Sequence, residues 1–250
     1  MIEVRHIEKY YGSDGITTKA IDDVSFVSAD GEFLCIMGAS GSGKTTLLNC
    51  VSTIDHVSAG EILYDGVPFD SLKQSELAAF RRCNLGFVFQ NYNLLDSLTL
   101  GENISLSLVV NNAAPQSIPA RIRQVAHAVG IEHRLDQFPR QVSGGERQRC
   151  AFARAIINSP KLIFADEPTG ALDSSSAIKL MEIISTLNKT LRSNIIMVTH
   201  DAFYASYADR VLFLKDGKLF SEIVKGEKDK RDFYHEIVDS VSLLGGRSVC

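Results

Sequence analysis

The stretch that most constrains the fold is a glycine-rich octapeptide, Gly38-Ala-Ser-Gly-Ser-Gly-Lys-Thr45. It fits the pattern G-x-x-x-x-G-K-[ST] at every position. Residues 32–37 precede it as a short apolar run typical of a strand buried on both faces, and a helical segment follows. Glycines let such a loop turn successive N–H groups inward, and the following helix adds the positive end of its dipole. The octapeptide therefore predicts a phosphate-binding loop between a buried strand and a helix.

Within this loop we expect the Lys44 ammonium to reach the β- and γ-phosphates and the Thr45 hydroxyl to ligate Mg²⁺. A chance glycine- and serine-rich turn is the alternative, which the flanking strand and helix disfavour. A dinucleotide-binding loop is also disfavoured, because the glycine spacing differs and a lysine stands where a third glycine is expected. The predicted nucleotide-binding residues here are Gly38, Ala39, Ser40, Gly41, Ser42, Gly43, Lys44, Thr45 and Thr46.

A phosphate loop of this kind needs a carboxylate at the end of a neighbouring strand. The apolar run 162–165 ends in Asp166 and Glu167. We expect Asp166 to orient Mg²⁺ through water and Glu167 to polarise the attacking water. A strand that simply ends in the polar turn Asp-Glu-Pro-Thr-Gly is the alternative, which the phosphate loop makes less attractive.

Other polar and aromatic side chains follow strand-like runs. Gln90 is placed to contact the metal or the water, and His200 to hydrogen-bond a γ-phosphate. Tyr10 and Tyr11 follow the first strand, and either can stack on an adenine face. Taken singly, each of these residues is better explained as an ordinary strand-end or surface residue.

The stretch Ser143-Gly-Gly-Glu146 begins a helical segment and has the form of a capping box, in which Ser and Glu satisfy the first N–H groups. The two glycines inside it are unexpected, since each costs a helix up to ~1 kcal/mol relative to Ala. We interpret Gly144 and Gly145 as allowing a phosphate to approach bare N–H groups, with Ser143 as N-cap or as a donor to the phosphate.

The pattern of the whole chain predicts an α/β fold. The first thirty residues alternate as antiparallel strands do, short buried strands alternate with helices in the core, and residues 91–159 read as helices and loops. Asp216-Gly217 between two apolar runs predicts a hairpin. The stretch after Gly226 is charged at first and is expected to be only partly packed.

Composition excludes several classes of protein. The net charge is −4 without a long basic run, so no nucleic-acid surface is expected. The five cysteines are scattered, which disfavours a disulfide framework or zinc site and fits a reducing cytosol. No signal peptide is recognised, and no apolar run approaches the roughly 18 residues of a membrane span. Action at a membrane would therefore need another chain.

Six motifs in this order, 38–45, Gln90, 143–146, 166–167, 170–173 and His200, resemble the nucleotide-binding domains of ABC transporters. The resemblance covers about residues 2–225. It implies a P-loop NTPase (RecA-like) core with an antiparallel β subdomain and an α-helical subdomain inserted at about 91–159, the whole domain spanning 1–225 and followed by a tail, 226–250. It also implies ATP hydrolysis with Mg²⁺.

The resemblance assigns roles to single residues. Glu167, His200 and Gln90 would be catalytic, and Thr45, Gln90 and Asp166 would hold the metal. The implied nucleotide contacts outside the phosphate loop are the adenine-stacking Tyr11, the signature Ser143, Gly144, Gly145 and Glu146, and the D-loop Asp173.

In this family two ATPase subunits pack head to tail, each ATP lying between the phosphate loop of one and the signature of the other. They drive a separate membrane permease from the cytoplasmic face. Stretches such as 36–49, 87–96, 163–173 and the closing Leu243-Leu-Gly-Gly246 resemble the bacitracin-type peptide-resistance branch. In that branch two ATPases serve one large permease, often together with a sensor histidine kinase.

Other readings stay open at this level. Within the family, the alternative is a lipoprotein-release or macrolide-export ATPase, some of which carry Glu where Glu146 replaces the usual Gln. Outside it, the alternatives are a soluble ABC protein of translation or DNA repair, and a nucleotide-binding module without turnover, which Glu167 and His200 disfavour. Glu146 itself would cap its own helix, face the phosphate, or do both, with Arg147 and Arg149 offsetting its charge.

Overall fold

The computed structural model describes residues 1–13 and 16–244. The strands, in chain order, are β1 (Ile2–Ser13), β2 (Ile16–Ser28), β3 (Phe33–Met37), β4 (Ala59–Tyr64), β5 (Val67–Pro68), β6 (Leu85–Phe89), β7 (Leu162–Asp166), β8 (Asn194–Thr199), β9 (Arg210–Lys215) and β10 (Lys218–Val224). The helices are α1 (Lys44–Val51), α2 (Gln74–Asn84), α3 (Leu100–Val110), α4 (Ile118–Ala128), α5 (Gly144–Ile156), α6 (Ser174–Leu191), α7 (Ala202–Ala205) and α8 (Lys230–Leu244). The Gly-Gly pair 245–246 and Cys250, part of the resemblance and of the predicted tail, lie outside the described residues.

The chain divides into two compact units. The first unit comprises Met1–Leu77 with Asn194–Cys250, and the second comprises Ala78–Ser193. The second unit contains the range 91–159 that the sequence predicts as a helical insert, together with β6, β7 and α6.

The first unit contains an antiparallel sheet in the order β2-β1-β4-β5 and the strand series β10-β9-β3-β8. In that series β3 pairs in parallel with both β8 and β9, while β10 returns antiparallel to β9. Every residue of β3 and β8 is buried, as expected for strands covered on both faces. The predicted Asp216-Gly217 hairpin is confirmed: both residues have positive φ, which a two-residue turn of this kind requires.

The second unit is built around α5, which packs against α3, α4, α6 and β6. Its central residues Cys150, Ala151, Phe152 and Ala153 are all buried, so this helix is core on most sides. Strands β6 and β7 pair in parallel from Leu85↔Leu162 to Phe89↔Asp166.

The stretch after residue 225 contains α8, which buries Phe233 and Ile237 one helical turn apart and packs against α7 and β9. Among the described residues, we find no helix whose length and hydropathy would suit a membrane crossing.

Candidate functional site

The phosphate loop leaves the end of β3 at Met37 and enters α1 at Lys44. Gly43, the N-cap of α1, has a φ of 101°, and a Cβ there would lie 2.6 Å from the Ala20 carbonyl oxygen. A residue with a side chain would meet both backbone strain and a clash with rigid main chain. The tight turn that ends the loop therefore requires glycine.

Polar groups converge inside this loop. The Lys44 side chain is only 8% exposed and donates a hydrogen bond to the Ala39 carbonyl, 2.8 Å away. The Ser42 hydroxyl is buried and finds no hydrogen-bond partner within 1–13 and 16–244, the described part of the chain. The N-cap Gly43 supplies no capping side chain to α1. A cation, an unsatisfied hydroxyl and an uncapped helix N-terminus around one loop fit a phosphate group.

Strand register brings His200 beside the phosphate loop. Met37 of β3 is paired with Thr199 of β8 in a parallel ladder. The loop that starts at Gly38 and the exposed His200 therefore leave neighbouring strands at the same edge. This is the arrangement that the sequence predicts for these two motifs.

Tyr11 lies near the end of β1. Hydrogen bonds and a neighbouring cation, which the sequence does not reveal, hold its side chain in place. Its hydroxyl donates to Asp55 at 2.6 Å and accepts a hydrogen bond from Thr46, the residue after the phosphate-loop threonine. Burial and Asp55 together raise the pKa of Tyr11 to about 12. Lys9 lies 4.8 Å from the ring centroid and also donates to Asp55 at 2.7 Å. Tyr11 is therefore linked to the first turn of α1, next to the phosphate loop.

The second unit has its own pair of strand ends. Phe89 of β6 is paired with Asp166 of β7, so Gln90 and Glu167 follow neighbouring strands at one edge. The amide of Gln90 lies close to Gly170, where a Cβ would be 2.7 Å from Gln90 Nε2. The predicted metal contacts, Gln90 and Asp166, and the predicted base, Glu167, thus lie at the same edge. Gly170 lies beside Gln90.

Glu167 has an unusual backbone conformation. Its φ of 45° lies in the left-handed region, which residues with side chains seldom adopt. The Gly170 N–H donates to the Glu167 carbonyl at 3.0 Å and closes the turn after β7. Such strain costs of order 1 kcal/mol or more and tends to occur where a side chain must be aimed for function.

Gln148, which the sequence analysis does not single out, connects these loops. The side chain is fully buried on α5, and its Nε2 donates to the carbonyls of Phe89 at 3.1 Å and Pro168 at 2.7 Å. It therefore fixes the strand ends beside Gln90 and Glu167 to the helix that starts at Gly144. A glutamine in an otherwise helical pattern carries no local signal of this contact.

The predicted capping box at the start of α5 is confirmed. Glu146 N–H donates to Ser143 Oγ at 3.3 Å, and the Ser143 N–H and hydroxyl donate to Glu146 Oε2 at 2.8 and 2.9 Å. Glu146 Oε1 accepts from Arg134 Nε at 2.8 Å. Burial opposes ionisation, but the bonds from Ser143 and Arg134 outweigh it and lower the pKa of Glu146 to about 2.

The charge of Glu146 is thus offset mainly by Arg134, which the sequence does not lead one to expect. From the sequence, Arg147 and Arg149, which lie closest along the helix, are expected to add to the compensation that the capping box provides. Arg147 instead lies over the Tyr92 ring, 5.5 Å from its centroid. Arg149 acts on Glu146 only through a longer-range charge interaction. Spacing along α5 does not disclose Arg134, because it comes from an earlier 3₁₀ helix, Glu132–Arg134.

The two signature glycines have different surroundings. A Cβ on Gly145 would lie 2.7 Å from Oγ and 2.8 Å from Cβ of Ser176 on α6. A Cβ on Gly144 would meet nothing closer than the Tyr92 hydroxyl, at 3.0 Å. The interpretation that both glycines serve the approach of an anion is therefore incomplete. Helix packing inside the second unit is sufficient reason for Gly145.

Asp173 is the N-cap of α6, and its carboxylate accepts hydrogen bonds from the first turn of that helix. It accepts hydrogen bonds from Ser176 N–H at 3.0 Å and from Ser175 Oγ at 2.7 Å. These bonds hold the pKa of the Asp173 carboxyl well below its usual range. Asp173 therefore fixes the start of the helix that lies against Gly145.

Comparisons with known proteins agree with this geometry. A family model described as ABC transporter matches residues 21–170. The chain is similar to the ABC transporter ATP-binding protein YxdL of Bacillus subtilis (strain 168), with 49% identity over 99% of this chain and 96% of the relative. It is also similar to the bacitracin export ATP-binding protein BceA of Halalkalibacterium halodurans, with 45% identity over 98% of this chain and 97% of the relative.

A solved structure shares the fold. The dimeric post-hydrolysis state of the ATP-binding cassette MJ0796, bound to ADP and Pi, superposes with a TM-score of 0.83 and 35% identity, covering 90% of this chain and 98% of that one. The expected cassette fold, with its P-loop NTPase core, is confirmed. The chain belongs to the ABC transporter family, as an ATP-binding subunit with ATPase activity.

Proposed function

We propose that residues at the ends of β3 and β8, and of β6 and β7, carry out ATP hydrolysis, each in a specific role. Lys44 and the N-terminus of α1 bind the phosphates, and Tyr11 stacks on the adenine. Glu167 accepts a hydrogen bond from the attacking water, whose oxygen bonds to the γ-phosphorus as the bond to the bridging oxygen breaks. ADP and inorganic phosphate leave. The strand registers Met37↔Thr199 and Phe89↔Asp166 are the observation that carries these assignments.

Thr45, Gln90 and Asp166 are the proposed oxygen ligands of Mg²⁺. Hydroxyl, amide and carboxylate oxygens are the donors this ion takes, usually together with substrate phosphates. When bound, the ion offsets charge on the phosphates. His200 donates a hydrogen bond to the γ-phosphate, and Asp173, as the D-loop residue, also contacts the nucleotide.

Two copies of the chain are proposed to close on two ATP molecules, head to tail. The N-terminus of α5, with Ser143 exposed and Gly144 lacking a Cβ, would then meet a phosphate bound by the other copy. The dimeric MJ0796 structures support this assembly.

A separate integral-membrane permease is the proposed second partner, and a groove in the second unit is its proposed docking surface. The groove has a volume of about 440 Å³, and its lining combines apolar residues of β6 and α3, among them Phe87, Leu106 and Val110, with polar residues that include Arg81 and Arg82. Part of its lining is β6, the strand that precedes Gln90. A permease segment with an apolar face and acidic flanks fits it. The ATPase would thereby be held at the cytoplasmic face of the membrane.

Val110→Glu tests this docking surface. Val110 is 58% exposed on the groove rim, so the substitution should leave folding and nucleotide binding unchanged while a charge prevents apolar docking. Val224→Glu on β10, at 54% exposure, is the matched control. Membrane fractionation of cells that express this chain together with its permease should show Val110→Glu, but not Val224→Glu, released from the membrane. Equal retention of both variants would exclude the groove.

The proposed task is resistance to antimicrobial peptides of the bacitracin type, with a sensor histidine kinase linked through the permease. The 45% identity to a bacitracin export ATP-binding protein supports it. A lipoprotein-release or macrolide-export ATPase is the alternative. A soluble ABC ATPase without a transport role is less well supported, since the curated relatives compared above are named as transporter or export ATP-binding proteins.

Growth inhibition distinguishes these tasks. A host strain that lacks this chain should become several-fold more sensitive to bacitracin, with unchanged sensitivity to a macrolide. The wild-type chain should restore resistance and Glu167→Gln should not. Sensitivity confined to the macrolide, or loss of lipoprotein from the outer leaflet, would assign the chain to the alternative group.

A further inference from the structure

The carboxylate of Glu146 divides its two oxygens between two tasks. Oε2 accepts the capping bonds from Ser143, and Oε1 accepts from Arg134 Nε at 2.8 Å. The Glu146 side chain is only 13% exposed, so neither oxygen is well screened by water. A negative charge in the first turn of α5 suits the helix, but it opposes the approach of any other anion to the same turn.

We propose that Arg134 is a positioning residue for nucleotide binding: its guanidinium offsets Glu146 and holds that carboxylate in the capping box, so that the start of α5 stays attractive to a phosphate. This inference rests on the proposed function, in which Ser143 and Gly144 meet the nucleotide of a second copy. It assigns to a residue outside the six motifs the charge balance that a glutamine at position 146 would make unnecessary.

Arg134 itself is well fixed for this role. It lies in the 3₁₀ helix Glu132–Arg134, and its NH1 group donates to Gln137 Oε1 at 3.3 Å. His133 is the other basic group near Glu146, but its Nε2 lies 4.0 Å from Oε1 and its side chain is 65% exposed. Arg134 therefore supplies the close contact in a defined geometry, while His133 lies at the margin.

The inference makes Arg134 and Glu146 a coupled pair. Without Arg134, Oε1 would carry uncompensated charge close to an incoming triphosphate, and the carboxylate would be free to turn out of the capping box. Glu146→Gln removes that charge while its amide oxygen can still accept the capping bonds. Loss of Arg134 should therefore matter when residue 146 is Glu and matter little when it is Gln.

The test uses the full chain with Arg134→Ala, Glu146→Gln, both together, and Arg134→Lys. We expect Arg134→Ala to raise the KM for ATP about tenfold with a smaller change in kcat, as for loss of a charge-assisted contact. Adding Arg134→Ala to Glu146→Gln should change the KM for ATP by less than about threefold, and Arg134→Lys should keep most of the activity. Thermal unfolding of all four monitors folding independently.

If Arg134→Ala raised the KM as much in the Glu146→Gln background as in the wild-type chain, the inference would be overturned, since Arg134 would then have a structural role without charge coupling. An Arg134→Ala variant with unchanged KM would overturn it too. ATP-induced dimerisation in a Glu167→Gln background separates this result from failure of the proposed function. If that parent does not dimerise with ATP, the proposed assembly is wrong; if it dimerises and Arg134→Ala does not weaken it, only the role of Arg134 is wrong.

Discussion

Glu167→Gln should abolish ATP turnover while leaving ATP bound. The amide keeps the size of the side chain but cannot accept a proton from water, and general bases contribute ~10²–10⁴-fold to rate. The left-handed backbone at this position, with φ of 45°, is equally accessible to Gln and Glu, so the fold should not change. Phosphate release should fall by at least about 100-fold, and the variant with ATP should elute as a dimer.

Glu182→Gln provides the matched control, because Glu182 is an exposed carboxylate on α6 of the same unit. It should hydrolyse ATP at the wild-type rate. Unchanged hydrolysis in Glu167→Gln would refute Glu167 as the base, whatever the fate of the dimer. Loss of turnover without ATP retention would instead indicate that the carboxylate contributes to nucleotide binding.

Gly145→Ala should destabilise the chain, whereas Gly144→Ala should not. The added Cβ at 145 would lie 2.8 Å from Cβ of Ser176, an atom that no side-chain rotation can move aside. Overpacking of this kind costs ~1–3 kcal/mol. At 144 the nearest atom is the end of the flexible Tyr92 side chain, and alanine improves helix propensity by up to ~1 kcal/mol. The two substitutions should therefore shift the free energy of unfolding in opposite directions.

Urea unfolding of both variants measures this difference, and Ser176→Gly supplies a rescue. Removing the Ser176 side chain opens the space that the new methyl group needs. Gly145→Ala should therefore lower the free energy of unfolding less in a Ser176→Gly chain than in the wild-type chain. Equal stability of Gly144→Ala and Gly145→Ala would contradict the packing explanation. If Gly144→Ala folds normally yet weakens ATP-induced dimerisation, Gly144 is the glycine that serves the nucleotide.

Much of the fold and of the candidate site could be predicted because the relevant signals are local. The loop 38–45 needs only its own glycines and the helix behind it, and Asp166 and Glu167 need only a buried strand before them. The capping box of Ser143 and Glu146 is likewise closed within one helical turn. Each of these is specified by residues a few positions apart, which is why the family and the cassette fold could be recognised from order and spacing.

Other parts of the site depend on residues that are distant in the chain. The Tyr11 phenol is fixed by Asp55 and Thr46, and Gln148 reaches carbonyls at the end of β6 and in the turn after β7. No periodicity or motif indicates these contacts, since a lone Asp or Gln is compatible with many surface roles. They exist only once strands and helices have packed.

The signature shows the division most clearly. The sequence by itself determined that a helix begins there with a capped, glycine-containing turn, because hydrogen bonding within one turn depends on local residue types. Only the tertiary structure decided that Gly145 accommodates Ser176 and that Arg134 pairs with Glu146, because steric fit and charge pairing act between surfaces that folding brings together.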